Sequence, residues 1–447
     1  MTESDTPGRS PFRFGPAFDP LLGMLWTLVV ALGFLSLVQR WPSGAPAPAT
    51  SAGLPARLAE FQAFALELRP AGTPRFPGLA RTLLQPWDRA AGAVLAAEGK
   101  DLPTARALAM EGPEPAGEGA AFRELFRAAY LDGPLPEAPR REVFQALGDR
   151  YAARLLEARL KDRAHDPAGA RAIRESARRA LGARFVGFAI LGLAVLLFLA
   201  AGVAFGIFLI VTRKVPPRLE LRPSPLDGRN LAWAFGLWIL ALMLSGSVAA
   251  FLIRLVPALR AAQLLLVYAF HALAGVSVLA ALEGRGLRGL LARVGSPSPL
   301  RALGWAAGFL ALAVALVAGV ALLLAPLLRN APPPQRELLE MIRGSHGILP
   351  TALLFLTMAG LAPAFEELMF RGTLLPWLQS RLGPSWAVPL SALAFAAIHL
   401  QPLALPTLFT LGAVLGLAAR RTGSLLAPIA VHAAWNGGVF LLMKLLA

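Results

Sequence analysis

The chain has 447 residues, 56% of them apolar and 16% charged, with 43 Lys and Arg against 27 Asp and Glu for a net charge of +16. Soluble domains run at about 45–50% apolar and about 25% charged, so a mean hydropathy of +0.58 excludes one water-soluble core and puts several segments in lipid. The absence of cysteine rules out disulfides, thiolate nucleophiles and Cys-metal sites, and in such a chain surplus Arg marks cytoplasmic loops rather than a nucleic-acid face.

A polar tail, 1–20, carries Arg9 and Arg13 and leads into an uncharged stretch, 21–38, followed by Arg40 and Trp41. The stretch reads as a first transmembrane helix. Ala47-Pro48-Ala49 has the small-residue pattern of a signal cleavage site, but the apolar run exceeds the core of a cleavable signal, about 7–15 residues, so an uncleaved anchor is expected.

Between 39 and 184 Ala, Arg, Glu and Leu dominate, punctuated by Gly112-Pro113-Glu114-Pro115 and Gly133-Pro134-Leu135-Pro136. Leu155, Leu156 and Leu160 fall at helical spacing amid many charges, which predicts a water-soluble insert of helical hairpins. It shows no repeat of fixed period.

Eight further apolar segments follow at 185–212, 231–253, 262–282, 302–325, 348–380, 386–400, 403–419 and 425–446. A helix rising about 1.5 Å per residue crosses about 30 Å of hydrocarbon in such lengths. The expected fold is therefore an all-α polytopic membrane protein of nine transmembrane helices, with a soluble helical insert after the first. Helices two to five occupy 185–330 and helices six to nine 331–447; the 348–380 span is interrupted by Pro363 and Gly372.

Basic residues set the orientation. Arg213, Lys214, Arg218, Arg222 and Arg229 follow the second helix, Arg285, Arg288, Arg293 and Arg301 the fourth, and Arg420 and Arg421 the eighth. These loops belong on the cytoplasmic side, although Arg254, Arg260, Arg329, Arg336 and Arg343 lie in the opposite ones. A multi-pass protein of the cell inner membrane is expected, with a cytoplasmic amino terminus and the insert outside.

Most charges avoid the apolar segments; Glu366-Glu367-Leu368-Met369-Phe370-Arg371 does not. A charge at a helix centre costs on the order of 2.5–3.5 kcal/mol on insertion scales, so this cluster needs internal partners. Glu367 and Arg371 are four apart and share a face, in the favourable order for an ion pair. Glu366 is rotated by about 100° from Glu367, leaving one carboxylate structural and the other free to act. Two later segments carry His399, and His432 with Asn436 four residues on. Counted from the presumed cytoplasmic helix ends, Glu366 and His399 lie roughly 20 Å deep and His432 roughly 12 Å, so all of them could line one cavity.

Glu366-Glu367-x-x-x-Arg371, Phe395-x-x-x-His399 and His432-x-x-x-Asn436 together resemble the CPBP family of intramembrane proteases. That group includes the type II CAAX prenyl endopeptidases and bacterial abortive-infection or bacteriocin-immunity proteins. The likeness covers about 348–446 and nothing in the first 184 residues. It implies an intramembrane endopeptidase in which Glu366, assisted by His399, activates water, while His432 and Asn436 stabilise the oxyanion and Glu367 and Arg371 give structural support. Glu366, His399 and His432 could also supply three ligands to a zinc ion, but glutamate-activated water needs no cofactor. The partners implied are a membrane-associated protein or peptide substrate and the bilayer, with no nucleic acid; the insert's role is not inherited from the likeness, and its position and solubility alone suggest that it recruits or screens substrates. An Ala/Arg bias fits a bacterial source. The rival readings are a non-catalytic immunity or scaffold protein of the same family and a proton-coupled transporter using the same groups.

Other features are set aside. His271 has no acidic companion nearby in sequence and reads as packed or pore-facing, while His165 and His346 sit in polar sequence. Leu226-Asp227-Gly228 is a coincidental match to another protease class, and Ser245-Gly246-Ser247 reads as small-residue helix packing.

Overall fold

The structure is a computed structural model that describes residues 19–40, 59–62, 86–110, 119–136, 140–148, 150–212, 224, 226–283, 286–294, 298–328, 341–342, 344–345 and 347–446. The Ala47-Pro48-Ala49 triplet, the basic stretch 213–223 and His346 lie outside them. The described residues form helices and no strand. They divide into two units, one of residues 45–192 and one of the first helix with residues 193–445.

Helix α1 spans Asp19–Arg40. The 45–192 unit contains α2 (Pro86–Glu98), α3 (Leu102–Met110), α4 (Gly119–Tyr130), α5 (Arg141–Leu147) and α6 (Tyr151–Arg163). In α4 the apolar residues fall at i, i+3, i+4 and i+7, which makes one helix face apolar; Phe122, Leu125, Phe126 and Ala129 are accordingly buried, against Trp87, Leu147 and Leu156. A buried ion pair joins Arg150 to Asp88 at 2.8 Å, and the same guanidinium group donates to the Trp87 carbonyl at 2.9 Å. This unit thus has an aromatic core of its own.

Helix α7, Pro167–Thr212, is 46 residues long. Then come α8 (Gly228–Leu255), a 3₁₀ turn (Pro257–Ala262), α9 (Gln263–Leu282), the short α10 (Gly286–Val294) and α11 (Pro299–Leu324). The last four are α12 (Ile348–Leu382), α13 (Pro384–Ile398), α14 (Leu405–Thr422) and α15 (Leu426–Leu446). Among the described residues six helices are long and apolar enough to cross a membrane: those of α7, α8, α9, α11, α12 and α15. The expected spans at 21–38 and 386–400 fall on the shorter apolar helices α1 and α13, and that at 403–419 on α14, whose end carries Arg420 and Arg421. The chain is a multi-pass membrane protein.

Local chemistry explains the helix boundaries. Asp227 caps α8 by accepting from the Asn230 backbone N–H at 2.8 Å, the ordinary use of an aspartate before a helix, so Leu226-Asp227-Gly228 is a cap. Arg229 holds Asp19 through two hydrogen bonds, 2.8 and 3.1 Å, fixing α1 on α8, where Leu25 and Val29 pack on Trp233. Gly202 of α7 is buried, and a Cβ there would collide with the backbone carbonyl of Ala311 in α11. Gly202→Ala must therefore push two helix backbones apart. It is expected to lower the melting temperature of the detergent-solubilised protein by several degrees, while Gly192→Ala, which would meet nothing, leaves it unchanged.

Helix α12 positions the site and is not a uniform α-helix. It contains two π turns, Thr357–Leu361 and Phe370–Leu374, in which Ala362 N–H reaches Thr357 O and Leu375 N–H reaches Phe370 O. Each turn directly precedes a proline step, at Pro363 and Pro376. Proline lacks the N–H and its ring crowds the carbonyl four residues back, here at Ala359 and Gly372 inside the π turns. Widening the turn relieves both problems, and such turns recur at functional sites. Thr373 satisfies a displaced carbonyl by donating to Leu368 O at 3.0 Å. The eight residues between, Ala362–Met369, carry both glutamates.

Candidate active site

Glu367 and Arg371 are fully buried and 2.9 Å apart. The second guanidinium nitrogen of Arg371 donates to the Gly412 carbonyl of α14 at 2.8 Å, and its charge sits 4.6 Å from the centre of the Phe395 ring, a favourable cation–π position. Gly412 matters because a side chain there would meet the Ala392 Cα of α13 at 3.1 Å. Glycine lets α13 and α14 approach closely enough for that carbonyl to reach Arg371.

His432 extends this pair towards Glu366. Its Nδ1 is 2.9 Å from Glu367 Oε1, and because a carboxylate only accepts, the imidazole hydrogen is on Nδ1. Nε2, on the other side of the ring, lies 3.9 Å from Glu366 Oε2. Arg371, Glu367, His432 and Glu366 thus form a chain of alternating partners drawn from α12 and α15. Asn436, one turn after His432, donates to the Met358 carbonyl at 3.0 Å and so holds the first π turn.

Glu366 differs from Glu367 in its surroundings. Its side chain is 12% exposed, and the Tyr268 hydroxyl of α9 lies 3.5 Å from Oε1, a long contact. Oε2 is buried without a hydrogen-bond partner. Glu366 lines a cavity of about 670 Å³ together with Tyr268 and His271 of α9, Trp238 of α8 and His399. Val29, Gly33, Ile239, Leu242 and Met243 are among its apolar lining residues. His399 ends α13; its Nδ1 lies 2.7 Å from the Phe395 carbonyl, which as an acceptor fixes the hydrogen on Nδ1 and leaves Nε2 uncommitted.

Of the residues picked out by sequence, Glu366 and His399 line one cavity, and Glu367, Arg371 and His432 lie behind it. His432 and Asn436 are not among its lining residues, because their donors are turned to Glu367 and Met358. As for a metal, no group of three or more His, Asp or Glu among the described residues is arranged to hold one; Glu366, His399 and His432 do not form a three-ligand set.

Sequence reading missed Tyr268 and His271. The signal was present, since an imidazole inside an apolar helix is a functional candidate by itself. His271 was set aside for want of a nearby acid, yet the acid beside Tyr268 is 98 residues away in sequence. Ser245 and Gly246, read as packing residues, also line the cavity.

No curated protein and no solved structure matches the chain. Residues 348–438 match the family profile described as type II CAAX prenyl endopeptidase Rce1-like. That interval contains Glu366, Glu367, Arg371, His399, His432 and Asn436, and excludes α1 to α11. Over that interval the carboxy-terminal helices of this membrane protein are thus similar to the Rce1-like type II CAAX prenyl endopeptidases, in agreement with the group that the sequence motifs resemble.

Proposed function

We propose that the chain is an intramembrane endopeptidase that hydrolyses a peptide bond in a membrane-associated protein or peptide, with Glu366 as the base that activates water. The observation carrying this reading is Glu366 Oε2, buried without a hydrogen bond and with His432 Nε2 3.9 Å away, on a residue lining a cavity that also holds His399. A buried acceptor left unpaired costs about 1–3 kcal/mol, and more when charged, so water drawn to Oε2 relieves that cost and is held where it can be deprotonated. The cavity volume falls within the range of about 300–1,000 Å³ common to small-molecule sites, enough for a short stretch of extended peptide.

In this mechanism Glu366 takes a proton as the water oxygen bonds to the scissile carbonyl carbon. The proton then passes to the leaving nitrogen as the C–N bond breaks. His432 can share the proton meanwhile: Nε2 faces Glu366, Nδ1–H stays on Glu367, and Glu367 is balanced by Arg371. Such a chain limits uncompensated charge in a medium where each ion is costly. His399 offers Nε2 to the same water. We assign His432 and Asn436 to support of the base and of the first π turn, in place of the oxyanion role implied by the family likeness. The basic loops favour a cytoplasmic amino terminus in the cell inner membrane.

Comparative membrane proteomics of cells carrying wild type or Glu366→Gln tests the reading. Precursors should accumulate in the variant; identical membrane proteomes would refute proteolysis. The 45–192 unit has its own core and matches no part of the family profile, and in this account it selects substrates. Deleting 45–180 should change which precursors are processed, and unchanged processing of all of them would remove that role. Because the mechanism needs no divalent ion, EDTA or phenanthroline should leave the cleavage rate within about twofold. A large loss restored by zinc would replace it with a metal mechanism.

A further inference from the structure

The cavity beside Glu366 has walls of two origins. Glu366 and His399 belong to the interval that matches the family profile, whereas the lining residues of α1, α8 and α9 lie outside it. Among the described residues, that second wall carries no Asp, Glu, Lys or Arg. It carries two glycines, Gly33 of α1 and Gly246 of α8.

Glycine inside a helix is less favourable than alanine, and close packing is the usual reason for keeping one. Packing accounts for Gly236 of α8, where a Cβ would come within 2.8 Å of Leu25 Cδ2 in α1. It does not account for the two cavity glycines. A Cβ at Gly33 would rest 3.5 Å from Met243 Cε, an ordinary contact, and among the described residues a Cβ at Gly246 would meet nothing within 4 Å. Met243 also lines the cavity and lies three residues before Gly246, on the same face of α8. The glycines therefore flank the thioether end of Met243 and leave a recess where two side chains would otherwise project. The recess is open at Gly246, which is exposed, and the flexible, polarizable methionine adapts to apolar groups of different shape.

The register of α8 relates this recess to the chemistry. Trp238 packs 5.6 Å from Phe365, ring centre to ring centre, and Phe365 immediately precedes Glu366. Met243 and Gly246 lie five and eight residues beyond Trp238, about 7.5 and 12 Å along the helix. An extended peptide advances about 3.3 Å per residue, so the recess meets a substrate about two to four residues from the bond held at Glu366. Resting on the Glu366 reading above, we propose that Gly33, Met243 and Gly246 form a selectivity recess for a large uncharged apolar side chain at that distance from the scissile bond. A charged side chain entering it would be taken out of water with no counter-ion, which is unfavourable. Substrate choice is thus set by α1 and α8, and the hydrolytic groups by α12 and α13.

The test uses the full chain in proteoliposomes and a purified precursor that accumulates in Glu366→Gln membranes, with the cleaved bond located by mass spectrometry. Each large apolar residue within four positions of that bond is replaced in turn by Ala. For one of these versions wild-type kcat/KM should fall about tenfold or more, the scale on which an apolar pocket discriminates. Gly246→Phe and Gly33→Leu, which fill the recess, should each lower kcat/KM on the parent precursor by about tenfold or more and cause no further loss on that Ala version. Gly304→Phe, at an exposed glycine of α11 away from the cavity, should leave both rates unchanged. Should either filling variant fail to fold, as judged by its melting curve, Gly246→Val takes its place. The proposal is overturned by equal losses on the parent and Ala versions, by unchanged rates in the filling variants, or by a precursor with no large apolar residue within four positions of the cleaved bond. With Glu366→Gln inactive, any of these leaves the Glu366 mechanism standing, whereas an active Glu366→Gln, or no accumulating precursor, removes both.

Discussion

Replacing Glu366 by Gln is expected to reduce kcat by about 10²–10⁴, the usual contribution of general acid–base catalysis, without unfolding the protein. Gln keeps the size of the side chain and removes the proton acceptor. Because Glu366 is partly exposed to a cavity and has only long contacts, with Tyr268 at 3.5 Å and His432 Nε2 at 3.9 Å, little of the fold depends on its charge. Measured on a purified precursor in proteoliposomes, KM and the melting temperature should stay close to wild type. A variant retaining more than a third of wild-type kcat would contradict the assignment of Glu366 as base.

Much of this site could be read from the sequence. Two adjacent glutamates in an apolar run must divide their roles, because residues one apart point about 100° away from each other on a helix. Arg371 four residues after Glu367 identifies the paired one, and the two lie 2.9 Å apart. Pro363 and Gly372 marked α12 as irregular. The two π turns that bracket the glutamates, ahead of Pro363 and Pro376, depend on backbone hydrogen bonding that a residue pattern does not encode. The expected spans 21–38 and 386–400 fall within about two residues of α1 (Asp19–Arg40) and α13 (Pro384–Ile398), the usual uncertainty of a helix end.

Long-range contacts account for what was missed. His271 and Trp238 lie 33 residues apart on α9 and α8, and only packing brings them to α12. The placement of Asn436 on Met358 rather than in the cavity wall follows from the first π turn, whose carbonyl it satisfies. A match of residue types at the right spacing identified the participants; the direction in which each donor points had to come from the fold.

Replacing Arg371 by Leu should be the most destabilising change in the 193–445 unit, costing about 3–5 kcal/mol, the usual penalty for removing one partner of a buried ion pair. Glu367 would keep its charge at a fully buried position, with His432 as its remaining partner. The Gly412 carbonyl would lose its donor as well. Arg371→Lys should recover only part of the loss, because an ammonium group lacks the planar fork that reaches Glu367 and Gly412 together. Adding Glu367→Gln to Arg371→Leu should recover some stability by removing the stranded charge. Melting curves of the solubilised protein, with fluorescence-detected size exclusion, measure all of these. An Arg371→Leu variant as stable as wild type would mean that the chain linking Arg371 to Glu366 has no structural role.

Single-turnover cleavage in H₂¹⁸O tests the central mechanism most directly. If Glu366 delivers water straight to the carbonyl carbon, the new carboxyl terminus carries one ¹⁸O in the first turnover with wild-type protein, and Glu366→Gln forms labelled product at least about 10²-fold more slowly. Unlabelled product in the first turnover, as attack of water on the glutamyl carbon of a covalent acyl-glutamate intermediate would give, or labelled product formed at the same rate by wild type and Glu366→Gln, would contradict it.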